Sequence, residues 1–295
     1  MENVANTGKY HYFCAIIFKI AKDMKQAEIM GILNITPDSF FADSRKQTER
    51  EIAERTNQII LEGGTMIDVG AFSTGPGAVQ VSEAEEIRRM RYGLEIVRRE
   101  QPDAILSIDT FRPSVARMAV EEYGATIIND VSEGGVTGVV DTPLESDGGD
   151  IPEIFREVAH LGVRYVLMSV QPTFELTVSH FLHKIKMLHS LGHHDIILDP
   201  GYGFGKDVIA GNYSLLSRQQ ELKDIFRLPL LVGVSRKRMI RQLIGGSPAD
   251  ALNGTTAVHV LALERGADIL RVHDVRAAVE AVKIVGEMIS DSLRT

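Results

Sequence analysis

Nine polar residues stand where short apolar runs end: Asn34, Asp68, Asp109, Asn129, Ser169, Asp199, Ser235, Arg271 and His273. Any one of them is what a helix cap or a turn asks for. The set, at the close of eight successive runs, points instead to one shared pocket. Its chemistry divides in two. Asp109, Asn129 and Asp199 offer carboxylates and an amide to the fused donor and acceptor edges of a planar heterocycle, and with Lys237 they suit a pterin or purine better than a sugar. Arg271 and His273 lie two positions apart in RVHDV, so a strand puts both on one face, where with Asn34 they suit a phosphate or pyrophosphate. Arg236, Lys237 and Arg238 follow another run at an expected helix start, where cations are unfavourable unless an anion or a π-system offsets them.

What is missing narrows the chemistry. There is no serine elbow, no Cys/His pair and no kinase or ATPase motif, so the reaction needs no protein nucleophile. LDPGYGFGKD (198–207) is glycine-rich but fits neither the P-loop nor the dinucleotide fingerprint; it reads as a turn exposing Asp199 and Phe204. No His/Cys/carboxylate spacing resembles a zinc site.

The elements that must position these residues are eight runs at 28–34, 65–70, 104–110, 126–130, 164–169, 195–199, 230–235 and 268–274. Between them lie amphipathic segments whose apolar residues recur at three and four positions. Ser247 reads as an N-cap with Pro248 at the first helical position. Such alternation predicts an α/β fold, a (β/α)8 barrel in a single domain over 28–295, with functional residues at the carboxyl ends of the strands. An open doubly wound sheet is the alternative, because periodicity does not give strand order. Residues 1–27 form an N-terminal extension. Its apolar FCAIIF (13–18) is too short to span a bilayer and lacks the flanks of a signal peptide, so a strand or hairpin at the barrel base is expected. The Gly/Asp-rich 134–150 reads as a surface loop.

At 295 residues with net charge −8, 44% apolar and 24% charged residues, the composition is that of a globular protein, and the charge argues against a nucleic-acid-binding surface while leaving room for a local basic pocket. A lone cysteine, Cys14, excludes an internal disulfide and fits a reducing compartment.

MGILNITPDSF, IDVGAFSTGPGA, SIDT, IIND, ILDPGYGFGK, GVSRK and RVHDV, in this order, closely resemble dihydropteroate synthases from about residue 28 onward. The resemblance implies a barrel enzyme of folate biosynthesis, a cytoplasmic homodimer and sulfonamide target using Mg²⁺. It joins 6-hydroxymethyl-7,8-dihydropterin pyrophosphate to para-aminobenzoate, with no nucleic-acid or membrane partner. Carried over by position, Asp109, Asn129, Asp199 and Lys237 hold the pterin. Asn34, Arg271 and His273 hold the pyrophosphate, with Asn34 also at the metal. Asn34, Lys237, Arg271 and His273 form the catalytic set. Thr36, Pro37, Phe40, Ser73, Thr74, Pro76, Phe204 and Arg238 form the aminobenzoate side.

Departures from the family pattern are local. Gly75 stands where the second loop usually carries arginine, and Phe41-Ala42-Asp43-Ser44 replaces the usual continuation of the first loop. Ser169 stands where strand five commonly has histidine. Arg238 stands where a serine often contacts the aminobenzoate carboxylate. Two other readings stay open: a pterin-binding paralogue impaired in turnover, and a methyltetrahydrofolate-dependent methyltransferase.

Overall fold

A computed structural model describes residues 26–35, 45–71, 81–134 and 150–292. Eight strands alternate with helices: β1 (Glu28–Asn34), α1 (Arg45–Leu61), β2 (Met66–Gly70), α2 (Glu83–Glu100), β3 (Ile105–Asp109), α3 (Pro113–Tyr123), β4 (Ile127–Asp130), α4 (Glu153–Leu161), β5 (Arg164–Met168), α5 (Phe174–Ser190), β6 (Ile196–Asp199), α6 (Ala210–Ser217), α7 (Gln219–Phe226), β7 (Leu231–Val232), α8 (Arg238–Ile244), α9 (Leu252–Glu264), β8 (Ile269–Val272) and α10 (Val275–Ser292). All ladders are parallel, in the order β6-β5-β4-β3-β2-β1-β8-β7. A parallel bridge from Leu198 to Leu230 joins the two ends, so the sheet closes into a (β/α)8 barrel, not an open sheet.

Parallel strands under helices are covered on both faces, which is why the runs are nearly continuous in Ile, Val and Leu. Outward residues such as Ile67, Val69, Leu106, Ile108, Ile128, Leu167 and Leu198 form the large core beneath the helices. Inward residues Met30, Met66, Ile127, Val166, Ile197, Leu231 and Ile269 form a separate, smaller core inside the barrel.

The strands fall close to the expected runs, with one instructive shortfall. The seventh run was expected to pair through residue 235, but its ladder ends at Val232. Beyond that point the Ser235 hydroxyl accepts from the His273 amide at 3.2 Å, so a side chain supplies a bond between the exits of β7 and β8. Ser247 does cap as expected, in a capping box with Asp250, but it opens a short 3₁₀ turn (Pro248–Ala251) before α9. The N-terminal strand or hairpin expected at 13–18 and most of the loop at 134–150 lie outside the described residues.

Candidate functional site

Strand parity builds the site. Each inward apolar residue of the lower core is followed two positions later by another inward residue. That next layer holds Asp68 on β2, Asn129 on β4, Asp199 on β6 and Arg271 on β8, with Ser107 and then Asp109 on β3. The ladder register sets Asp68 beside Ser107, and Asp109 beside Asn129.

These groups form one bonded network. Arg271 donates from Nε to Asp68 Oδ2 and from Nη2 to Asp109 Oδ2, both at 2.6 Å. Asp68, fully buried, also accepts from Ser107 Oγ at 2.5 Å and from Asn129 Nδ2 at 3.2–3.3 Å. Asn129 Oδ1 is buried and has no hydrogen-bond partner, an acceptor left open toward the interior. Two inward glycines border the network. A Cβ on Gly70 would lie 3.4 Å from Asn34 Oδ1 and 3.7 Å from Asp109 Oδ2, and one on Gly233 would lie 4.0 Å from both Arg271 Cδ and Lys237 Nζ.

Lys237 enters from the start of α8. Its ammonium donates to the Tyr202 carbonyl and lies 4.4 Å from the centre of the Phe204 ring. The three successive cations thus find three different environments: Lys237 has a carbonyl and a π-face, Arg236 pairs bidentately with Asp274 at 2.6–2.8 Å, and Arg238 is exposed and reaches Gln242 on its own helix. Among the described residues the Phe204 ring has its cation contact from Lys237 and none from Arg238.

The β6–α6 loop carries Phe204 into place. Gly201 and Gly205 have φ of +72° and +60°, and a Cβ on either would stand 1.8 Å from a carbonyl oxygen, of Ser169 and Val170 respectively. Lys206 then ties the loop down, its Nζ donating to the Ser169, Gly201 and Phe204 carbonyls at 3.1–3.2 Å. Phe204 rests against Val131, Met168 and Val170. Asp199 accepts from Gly201 N at 2.8 Å.

The electrostatics follow from burial. Desolvation raises the Asp109 pKa to about 7, with Arg271 opposing and Asp68 adding to the rise. Burial also raises Asp199, against the pull of Lys237. It lowers Lys237 and Lys206 to about 8 each, with Asp199 opposing in both cases. Burial works against the Arg271 charge, but Asp68 and Asp109 together outweigh it and raise its pKa.

His273 follows β8 at the rim, where it lines one cleft with Asn34, Ile32 and Arg55. Its amide and ring Nδ1 both meet Ser235 Oγ at 3.2 Å, and its carbonyl accepts from Arg55 Nη2 at 2.7 Å. The surrounding protein and then the Arg271 charge push its pKa down to about 4, so the ring is neutral at pH 7.

The expected residues therefore divide. Asp109, Asn129, Asp199, Lys237 and Arg271 meet inside the barrel mouth, with Phe204 against Lys237, while Asn34 and His273 share the rim. Thr36, Pro37, Phe40, Ser73, Thr74 and Pro76 lie outside the described residues, as does Gly75. Ser169 does not join the pocket: β5 ends at Met168, and Ser169 has the outward parity, its hydroxyl 3.4 Å from Thr177 on α5. Asp68 was expected at the shared pocket from sequence but was given no role there, and Lys206 was not singled out at all. Counting parity from Met66 finds Asp68; nothing local marks Lys206, whose partners are all backbone carbonyls.

Comparison with known proteins points to one family. Residues 30–273 match the family described as pterin binding enzyme. The dihydropteroate synthase of Escherichia coli strain K12 is 36% identical over 274 residues, which is 91% of this chain and 94% of that protein. Among solved structures, a Clostridium difficile dihydropteroate synthase crystallised with pteroic acid superposes with a TM-score of 0.78 at 32% identity, covering 90% of this chain and 97% of that one. A Xanthomonas albilineans dihydropteroate synthase with 4-aminobenzoic acid gives 0.77 at 34% identity, covering 90% and 94%. A Yersinia pestis dihydropteroate synthase in a sulfonamide complex gives 0.76 at 34% identity, covering 91% and 96%.

Proposed function

The chain belongs to the pterin-binding enzyme family, and from that premise we infer that it works as a dihydropteroate synthase in folate synthesis. The arylamine nitrogen of para-aminobenzoate forms a bond to the methylene carbon of 6-hydroxymethyl-7,8-dihydropterin pyrophosphate. The carbon–oxygen bond breaks, pyrophosphate departs with the electron pair, and the amine loses a proton.

The observation that carries the residue assignment is the polar layer inside the barrel mouth, with the unpartnered acceptor of Asn129 facing inward. Asp199 and Asn129 accept from the amino and ring N–H edge of the pterin, and Lys237 donates to its acceptors. Asp109, on the same layer, completes the pterin site and holds the Arg271 guanidinium in plane. Arg271 uses Nε and Nη2 on protein carboxylates, which leaves Nη1 for an oxyanion. His273 and Asn34 meet the pyrophosphate at the rim. An arylamine is neutral at pH 7 and needs no strong base, so these groups act by orientation and by stabilising charge as it develops on the leaving group. The electron-rich pterin stabilises the carbon as the bond breaks, which favours a dissociative transition state. Phe204 forms one wall of the aminobenzoate subsite, where a sulfonamide would compete, and the loops holding Thr36, Pro37, Phe40, Ser73, Thr74 and Pro76 complete it.

Magnesium fits as a companion of the substrate. No group of three His, Cys, Asp or Glu residues among the described residues forms a cation cage. Mg²⁺ nevertheless keeps several waters and is commonly held by one or two protein oxygens plus substrate phosphates. Asn34 Oδ1, at the open rim, is such an oxygen. The ion would add positive charge against the departing pyrophosphate.

The same reading includes a homodimer in the cytoplasm. Exposed Leu243, Ile244 and Leu252 at α8 and α9 supply apolar surface for a second copy, and the lone cysteine suits a reducing compartment. No helix among the described residues is long and apolar enough to cross a membrane.

Purified protein given both substrates and Mg²⁺ should release pyrophosphate in step with dihydropteroate formation. Pterin binding with no release from the two substrates would overturn the enzymatic reading in favour of a binding paralogue. Turnover only with methyltetrahydrofolate and a corrinoid partner would replace it with the methyltransferase reading.

A further inference from the structure

We propose that Ser235 is a positioning residue that fixes the tautomer of His273, holding its proton on Nε2 so that the ring donates to the leaving pyrophosphate. The proposed role in the reaction rests on the synthase reading above; the tautomer itself does not.

The argument is a count of protons around one hydroxyl. Ser235 Oγ lies 3.2 Å from the His273 amide, which has a proton and can only donate, so the oxygen acts there as acceptor. The same oxygen lies 3.2 Å from His273 Nδ1. A serine has one proton to give, and no other acceptor for it is found among the described residues. If Nδ1 carried the histidine proton, Ser235 would accept twice and its own proton, in a residue only 6% exposed, would have no partner. If Nδ1 is bare, the hydroxyl donates to it and every proton is used. The second arrangement satisfies all the groups, and it puts the single ring proton of a neutral histidine on Nε2.

The surrounding structure is built to hold this contact. Arg236, immediately after Ser235, adopts φ of +57° and pairs bidentately with Asp274, immediately after His273. Its amide is held in turn by Thr255 Oγ1 at 3.1 Å. Two consecutive residues leaving β7 thus grip two consecutive residues leaving β8. From the other side Arg55 bonds both the His273 and the Ile32 carbonyls, at 2.7 and 3.2 Å. The His273 backbone is fixed at N by Ser235 and at O by Arg55, which sets where the ring leaves the chain, and the Ser235 hydroxyl meets its Nδ1 there. A donor aimed in advance at the leaving group avoids reorganisation when charge develops.

The test is nitrogen NMR on ¹⁵N-histidine-labelled full-length protein near pH 7, with a His273→Gln variant identifying the signals. Wild type should show His273 with a bare Nδ1 and a protonated Nε2. Ser235→Ala should shift the Nδ1 resonance and admit the Nδ1–H form, whereas Ser235→Thr, which keeps the hydroxyl, should restore the wild-type pattern. In kinetics Ser235→Ala should lower kcat roughly tenfold with little change in KM for aminobenzoate, and Ser235→Thr should recover most of it. A protonated Nδ1 in wild type, or His273 resonances unchanged in Ser235→Ala, would overturn the proposal. If wild type turns over neither substrate, the synthase reading fails while the NMR result still decides the tautomer.

Discussion

Met66 and Asp68 stand two residues apart on β2 and face the same barrel interior, both with no exposed surface, yet their surroundings are opposite. Met66 packs with Met30, Ile127, Val166, Ile197, Leu231 and Ile269 in an entirely apolar layer. Asp68 sits in a layer whose members are carboxylates, an amide, a hydroxyl and a guanidinium. Burying each apolar side chain below contributes about 1.5–3 kcal/mol. The ion pairs above roughly break even at best, because desolvation offsets their attraction. The lower layer therefore holds the barrel closed and the upper one exists for the ligand. One pleat of the strand separates the two jobs.

The largest consequence is expected at Asp199. Asp199→Ala should remove two charge-assisted hydrogen bonds to the pterin, each worth roughly 1.5–3 kcal/mol, and weaken binding ~100-fold or more. Circular dichroism should remain that of the folded barrel. Unchanged pterin affinity by calorimetry would break the division between layers at its most important point.

Asp68 tests whether the upper layer also carries structure. Asp68→Ala strips Arg271, Asn129 and Ser107 of a shared acceptor and leaves a buried guanidinium with only Asp109, which should cost about 3–5 kcal/mol in chemical unfolding. A loss below ~1 kcal/mol would mean that Asp109 alone satisfies Arg271. In the lower layer, Ile197→Ala should cost about 2–5 kcal/mol through lost burial and the cavity left behind. The folded Ile197→Ala protein should bind pterin as wild type does. A large loss of affinity in that variant would show that the two layers are not separable.

The contrast also explains which parts were readable in advance. Period-two burial and polar strand endings are local facts, so the barrel and the inward set Asn34, Asp109, Asn129, Asp199, Arg271 and His273 could be read without coordinates. Ser169 misled because the run was carried one residue too far; counted from Val166, the inward residue is Met168. The role of Arg271 was only half legible. Its type and face were evident, but its grip on Asp68 and Asp109 depends on chain segments 203 and 162 residues away. Lys206 was invisible for a different reason, since carbonyl partners leave no trace in side-chain chemistry. The bond between Ser235 and His273 likewise joins positions 38 residues apart, beyond the end of the β7–β8 ladder, which no local pattern marks.

The sharpest effect is in pH dependence, because of the two layers only the upper one can titrate. Burial, partly opposed by Arg271, raises Asp109 from 3.8 to about 7 in the folded protein. Between those values the native state holds a proton that the unfolded chain has released, so Asp109 makes stability fall as pH rises, by at most about 1.4 kcal/mol per pH unit. Below pH 4 both states are protonated, and above pH 7 both are ionised, so the slope vanishes on either side. Histidines with lowered values, His273 and His259, each at about 4, act in the opposite direction from pH 4 to their unfolded value of 6.5, so wild type alone shows only a sum. Asp109→Asn isolates the acid. The unfolding free energy of the variant minus that of wild type should climb from pH 4 to pH 7 and then level off. A difference that stays flat across that window would mean that Asp109 is already ionised at acid pH, held there by Arg271. In that case the upper layer would carry a full buried charge cluster at all working pH values. Ile197→Ala, two residues below the polar layer on β6, should give a difference with no pH slope, which makes it the internal control.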